Sequence, residues 1–133
     1  MSKKDSQQAV CFLIPYPNTK QGKVDWNKRF SLNAYWAGKH HRARAQDARY
    51  IHSLTLAALE AAKIRKVPFA VPVEVIFRWD DRLDCDNHAA LGKMILDSLK
   101  KRVVVDDNPR WVRRVTHEFW DGKAVGVEVR PWA

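Results

Sequence analysis

Only two cysteines, Cys11 and Cys85, occur in the 133 residues, and their separation has no metal-ligand spacing. So few give no disulfide framework, and free thiols in a reducing cytoplasm are expected. No apolar run approaches the roughly 20 residues of a membrane-spanning helix. The opening residues, MSKKDSQQ, are polar with no apolar segment behind them, so no signal peptide is expected. Internal repeats, low-complexity tracts and linkers are also missing. One domain over 1–133 is therefore expected, with 1–8 a loose polar start. Acidic residues are the minority, 15 against 24 lysines and arginines, for a formal net charge of +9. That excess suits a polyanionic partner, nucleic acid first, and no membrane. A hydrophobic content of 46% with six tryptophans excludes a disordered chain.

The few acids are not scattered. Asp84-Cys85-Asp86-Asn87 opens a stretch that ends at Asp106-Asp107. On extended backbone, Asp84 and Asp86 project to one side with Cα atoms about 7 Å apart, and Cys85 points the other way as a small core-facing residue. Asp86 or Asn87 would cap the helix that follows. In that helix Leu91, Met94, Ile95 and Leu99 form an apolar stripe. Asp86, Ala90, Lys93 and Asp97 share another face, with Asp97 one turn from the Lys93 ammonium. Val103-Val104-Val105 reads as a short buried strand delivering Asp106 and Asp107. If it lay beside the strand before Asp84, several carboxylates would meet at one sheet edge. Two negative charges 4 Å apart repel by about 4 kcal/mol at an effective dielectric of 20, so such a cluster calls for a cation. All-oxygen ligands favour Mg²⁺ or Mn²⁺ over zinc.

The remaining elements follow from periodicity. Val10–Ile14 reads as a strand closed by Pro15 and Pro17, and residues 18–27 as a loop. A helix is expected from about Arg42 to Lys63, its apolar face including Ile51, Leu54, Thr55, Ala58 and Leu59. The basic run Lys63–Lys66 would occupy its last turn, and Pro68 would stop it. Residues 71–79 alternate as the clearest strand. Residues 111–120 and 124–132 read as two further strands, joined as a hairpin at Asp121-Gly122. The order predicts a compact α+β domain with a mixed sheet and two helices packed on it.

Ahead of the long helix lies a dense basic segment with Lys39, His40, His41, Arg42, Arg44 and Arg49. It is expected to grip a phosphate backbone without reading sequence. Contact with about six phosphates would give a log–log salt slope near −5. His88 is expected on the surface of a first helical turn. Trp79, Trp111, Trp120 and Trp132 are expected in core or interface, and Trp36, beside the basic segment, is the best candidate to stack on a base.

Asp84-x-Asp86-Asn87, then Lys93 and Asp97-Ser98-Leu99, then Asp106-Asp107 resembles the RusA family of Holliday-junction resolvases. Ser31-x-Asn33-x-Tyr35-Trp36, followed by the basic segment, resembles that family's N-terminal motif. The resemblance covers roughly residues 10–129. One departure is that Lys93 lies about one helical turn further from the Asp-Asn pair than the lysine of the family's prototype. The resemblance implies a RusA-like homodimer that binds four-way branched DNA and uses Mg²⁺, with Mn²⁺ able to substitute. By similarity Asp84, Asp86 and Asp107 would hold the metal, with Asp106 as the alternative to Asp107. Lys93 would be the essential lysine, with Asn87 and Asp97 in support.

Such a site would hydrolyse phosphodiesters with a metal-activated water, and no histidine is placed by the sequence as a general base. Two symmetric cuts suit a two-fold dimer, and Phe12, Trp111 and Trp120 are candidates for its interface. The competing expectations are an inactive junction-binding protein of the same fold and a metal nuclease for flaps, forks or RNA hybrids.

Overall fold

In a computed structural model describing residues 7–132, strand β2 (Val73–Trp79) is the organising element. Its alternation sends Val73, Val75, Phe77 and Trp79 into the core, each at most 1% exposed. Antiparallel β4 (Ala124–Pro131) flanks it on one side and parallel β3 (Val112–Phe119) on the other. Strand β1 (Val10–Pro15) pairs antiparallel with the far side of β4, for a four-stranded mixed sheet of order β1-β4-β2-β3. The helices are α1 (Lys20–Phe30), short α2 (Leu32–Trp36), α3 (His41–Ala61) and α4 (Ala89–Leu99). The chain is a single α+β domain, and among the described residues no helix is long and apolar enough to cross a membrane.

Residues 18–27 do not form a loop: Thr19 caps α1 by accepting from the Gly22 N–H at 2.9 Å. Trp26 and Phe30, one turn apart, bury on the core side of α1 and pack edge-on at 4.7 Å. The long helix begins as expected but ends early, at Ala61. Lys63 takes a left-handed backbone (φ 58°) and Ile64 N–H returns to the Leu59 carbonyl. The basic run Lys63–Lys66 thus lies beyond the helix, and the stop is a backbone reversal rather than Pro68.

The expected β3–β4 hairpin is also absent, because β2 lies between the two strands. The connection must cross about 10 Å, two strand spacings, which a few extended residues can span. It is pinned over the end of β2. Trp120 N–H donates to the Trp79 carbonyl at 3.1 Å, and Lys123 N–H donates to Asp80 Oδ2 at 2.7 Å. The Trp120 indole closes over Gly122 and Gly126, where an added Cβ would stand 2.4 and 2.7 Å from the ring. Val103-Val104-Val105 is not a strand either. The Leu99 carbonyl accepts from Arg102, Val103 and Val104, so the chain reverses in a tight turn with Val103 and Val104 buried. Phe12, proposed for an interface, is in the core. Gln7, within the expected loose start, accepts a bond from Ala70 N–H at 2.8 Å, while residues 1–6 lie outside the described residues.

The helix-free face of the sheet carries an ion-pair ladder. Glu74, 5% exposed, stands in register with Arg114 on β3 and Arg130 on β4 and pairs with both. Arg78 likewise joins Glu118 and Glu128. The Arg130 hydrogen bond, then that of Arg114, holds the Glu74 carboxyl below its usual range against the opposing effect of burial.

A lowered native pKa means that this stabilisation is present above the ordinary carboxylate range and is lost as pH falls toward the native value. Glu74→Gln should cost about 1–3 kcal/mol in urea unfolding at neutral pH. The gap from the parent should narrow below about pH 4. A gap independent of pH would contradict this account.

Candidate metal and phosphodiester site

Asp84 and Asp86 leave the C-terminal end of β2 on a short loop and a 3-10 turn, Cys85–His88, which runs directly into α4. The loop is built on a buried side chain. His88 is 1% exposed and stacks on Trp79 at 4.4 Å, with Phe119 edge-on to it at 5.7 Å. Its Nδ1 faces the Cys85 carbonyl at 3.1 Å and therefore donates to it. Its Nε2 lies 2.8 Å from both carboxylate oxygens of Asp81. Asp81 Oδ1 also accepts from Leu83 N–H at 3.0 Å. These bonds fix both ends of the segment that carries Asp84.

His88 is thus not the surface residue its position suggested, and Cys85 is not in the core. The Cys85 thiol is exposed and reaches the His117 carbonyl at 3.3 Å. Trp79 Nε1 donates to His117 Nδ1 at 3.0 Å. Burial, then the proximity of His88, holds the His117 pKa below its usual value. No side-chain cap bond forms at Asp84 or His88, so the expected capping role of Asp86 or Asn87 is not realised.

Asn87 has a different partner. Its Oδ1 accepts from Asn33 N–H at 3.1 Å, 54 residues away in sequence. The two segments singled out in the sequence, around Ser31-x-Asn33 and around Asp84-x-Asp86-Asn87, therefore meet. Ser31 Oγ caps the turn into α2 by accepting from Ala34 N–H at 3.2 Å. The side chains of Tyr35 and Trp36 lie outside the described residues, and with them the base-stacking expectation for Trp36.

The α4 stripe of Leu91, Met94, Ile95 and Leu99 is buried as expected. On the outer face Lys93, its side chain 72% exposed, lies 3.4 Å from Asp97. Asp97 also approaches Lys100 at 3.5 Å, and Lys100 pairs with Asp107 at 3.1 Å. That bond lowers the Asp107 pKa and raises that of Lys100. Lys100 was missed from the sequence, although its three-residue step from Asp97 is the spacing of a helix-surface pair. Asp106 serves its own turn, with Oδ1 accepting from Asp107 N–H at 2.8 Å and Oδ2 facing Asn108 Nδ2 at 3.4 Å.

The acids do not all converge. Asp84 and Asp86 stand before α4, whereas Asp107 follows the chain reversal beyond it and is held by Lys100. Among the described residues no three His, Cys, Asp or Glu side chains group as a metal site. Asp84 and Asp86 are exposed, and neither is hydrogen-bonded or ion-paired through its side chain to another described residue.

The basic segment divides in two. Lys39 and Arg29 hold the buried Asp47, and Lys39 also donates to the Arg29 carbonyl at 2.7 Å. His40 caps α3 by accepting from Arg42 N–H at 3.1 Å, and its ring lies 4.2 Å from that of His41. Arg42, Arg44 and Arg49 are exposed. Arg44 shares a groove of about 460 Å³ with Ala90, Lys93 and Met94, and Arg49 lines the neighbouring groove with His52 and Ser98.

No family model matches the chain, and no similar sequence is found among curated proteins.

His88→Ala should lower stability by about 3 kcal/mol, because it strands the Asp81 carboxylate and opens a void against Trp79. A double-mutant cycle with Asp81→Asn, read by urea unfolding, should show coupling above about 1 kcal/mol. An effect under about 0.5 kcal/mol would restore His88 to the surface.

Proposed function

We propose that the protein is a divalent-metal-dependent endodeoxyribonuclease of the RusA type, a homodimer that resolves four-way DNA junctions. One observation carries the reading. Two carboxylates without a cation of their own, Asp84 and Asp86, are held in a fixed turn on a chain of net charge +9. A protein that binds polyanions gains nothing from an exposed acidic pair at its basic surface unless a cation sits between it and the phosphate.

The donor set fits Mg²⁺. The ion keeps several waters and takes one or two carboxylates together with substrate phosphate oxygens. The nearby softer donors are engaged, His88 by Asp81 and the Cys85 thiol by a carbonyl. Asp84 and Asp86 would hold the ion, and Mn²⁺ would substitute. When bound, it supplies an activated water and relief of charge on the leaving oxygen. Lys93 and Arg44 would neutralise the backbone beside the cut, and Arg42 and Arg49 would extend that contact along α3. Lys39 and His40 support the fold of the segment instead.

Asp107 is paired with Lys100, and among the described residues it does not group with Asp84 and Asp86 as a three-residue metal site. In this reading Asp107 serves as a ligand together with the Asp84–Asp86 pair of a second copy. Two symmetric cuts in a four-way junction also call for two sites.

On a synthetic mobile junction, Asp84→Asn and Asp86→Asn should each lower Mg²⁺-dependent cleavage by more than about 100-fold. Junction binding in EDTA should stay within a few-fold of the parent. Lys93→Ala should cut about 10²-fold more slowly. Mixing Asp84→Asn with Asp107→Asn subunits should restore nicking in the mixed dimer, whereas each variant alone stays inactive. Junction binding by the parent with no Mg²⁺-stimulated nicking would instead identify a non-catalytic junction-binding protein.

A further inference from the structure

A cleft of about 770 Å³ adjoins the start of the acidic loop and shares no lining residue with the Arg44–Lys93 groove. One wall is the outer face of α1, where Lys20, Lys23, Val24 and Asn27 follow helical spacing. The opposite wall is the start of the acidic loop, Asp80-Asp81-Arg82, and Lys123 from the β3–β4 connection closes one end. Tyr16 contributes to the lining.

The charges of this cleft are unbalanced. Its two acids are already engaged. Asp80 accepts from Lys123 N–H, and Asp81 accepts from His88 and, at 3.4 Å, from the Tyr16 hydroxyl. Tyr16 stays a protonated donor, since burial pushes its hydroxyl well above the usual value. Lys20, Lys23, Arg82 and Lys123 are exposed, and among the described residues none is ion-paired. Four cations against two carboxylates leave the lining with a net positive charge, and a concave surface focuses that field on whatever enters it. The exposed Val24 and the Tyr16 ring add an apolar surface of the kind that sugars and bases contact. Arg82 is two residues from Asp84, so an anion in the cleft lies next to the acidic pair.

We propose that this cleft is a second DNA-backbone site, which receives the strand running past Asp84 and Asp86. The proposal rests on the DNA reading above but not on catalysis. In it, Lys20, Lys23 and Lys123 contact phosphates, and Asn27 supplies a neutral polar partner. The DNA then bridges two basic surfaces with the acidic pair between them, which holds one phosphodiester over the pair.

The test is fluorescence anisotropy with a labelled four-way junction in EDTA, across a salt series. Lys20→Gln/Lys23→Gln is compared with Lys28→Gln/Lys66→Gln, which removes the same charge from exposed lysines outside the cleft. The cleft double variant should bind at least about 10-fold more weakly at 0.1 M salt, with its log–log slope smaller by about 2. The control pair should stay within about two-fold, and Lys123→Gln should reduce the slope by about 1. Equal losses in the two double variants, an unchanged slope, or no junction binding by the parent would each overturn the proposal. Normal junction binding by the cleft variants, with intact Mg²⁺-dependent cleavage by the parent, would remove the cleft and leave the nuclease. A cleft-dependent slope without cleavage by the parent would do the reverse.

Discussion

Beneath the acidic loop, the contact between His88 and Asp81, sealed under Trp79, constrains most of what surrounds it. A buried imidazole and a buried carboxylate are tolerated only when each satisfies the other. Here the ring also ties down the Cys85 carbonyl, and the carboxylate ties down Leu83 N–H. The backbone through Asp84 and Asp86 is thus tethered on either side to the end of the central strand. The same strand end receives the β3–β4 connection through Trp79 and Asp80. One corner of the sheet therefore organises the acidic pair, the crossover and the α1 cleft together.

Charge is distributed with similar economy. On the helix-free face of the sheet, arginines and glutamates stand in cross-strand register and neutralise each other. At the start of α3, Lys39 and Arg29 are consumed by Asp47. The cations left without partners among the described residues include Arg42, Arg44 and Arg49 on α3 and the four around the α1 cleft. Apart from Arg42, they line the cleft beside Asp80–Arg82 and the grooves beside Lys93 and Asp97.

Several features were legible from residues alone. The α4 stripe, the alternation of β2, the start of α3 and the exposed Lys93–Asp97 pair each depend on spacings of two, three or four residues, which repeat in the string itself. The α1 helix escaped notice because its surface is polar throughout except Val24, Trp26 and Phe30. The Asp121-Gly122 turn carried a true local signal, but its flanking strands found a better partner in β2. Val103-Val104-Val105 has strand composition, yet it follows directly on α4, and the chain had to reverse there.

The sequence by itself determined the periodic elements, the basic balance, and the presence of an acidic pair followed by an amphipathic helix. Those properties come from near neighbours, whose geometry the peptide backbone dictates. Only the tertiary structure decided that β2 would part β3 from β4, that His88 would sink beneath the loop, that Asn87 would reach Asn33, and that Lys100 would pair with Asp107. The first three join residues far apart in the chain. Their meeting is set by competition among whole elements for burial and hydrogen bonds, which leaves no periodic trace.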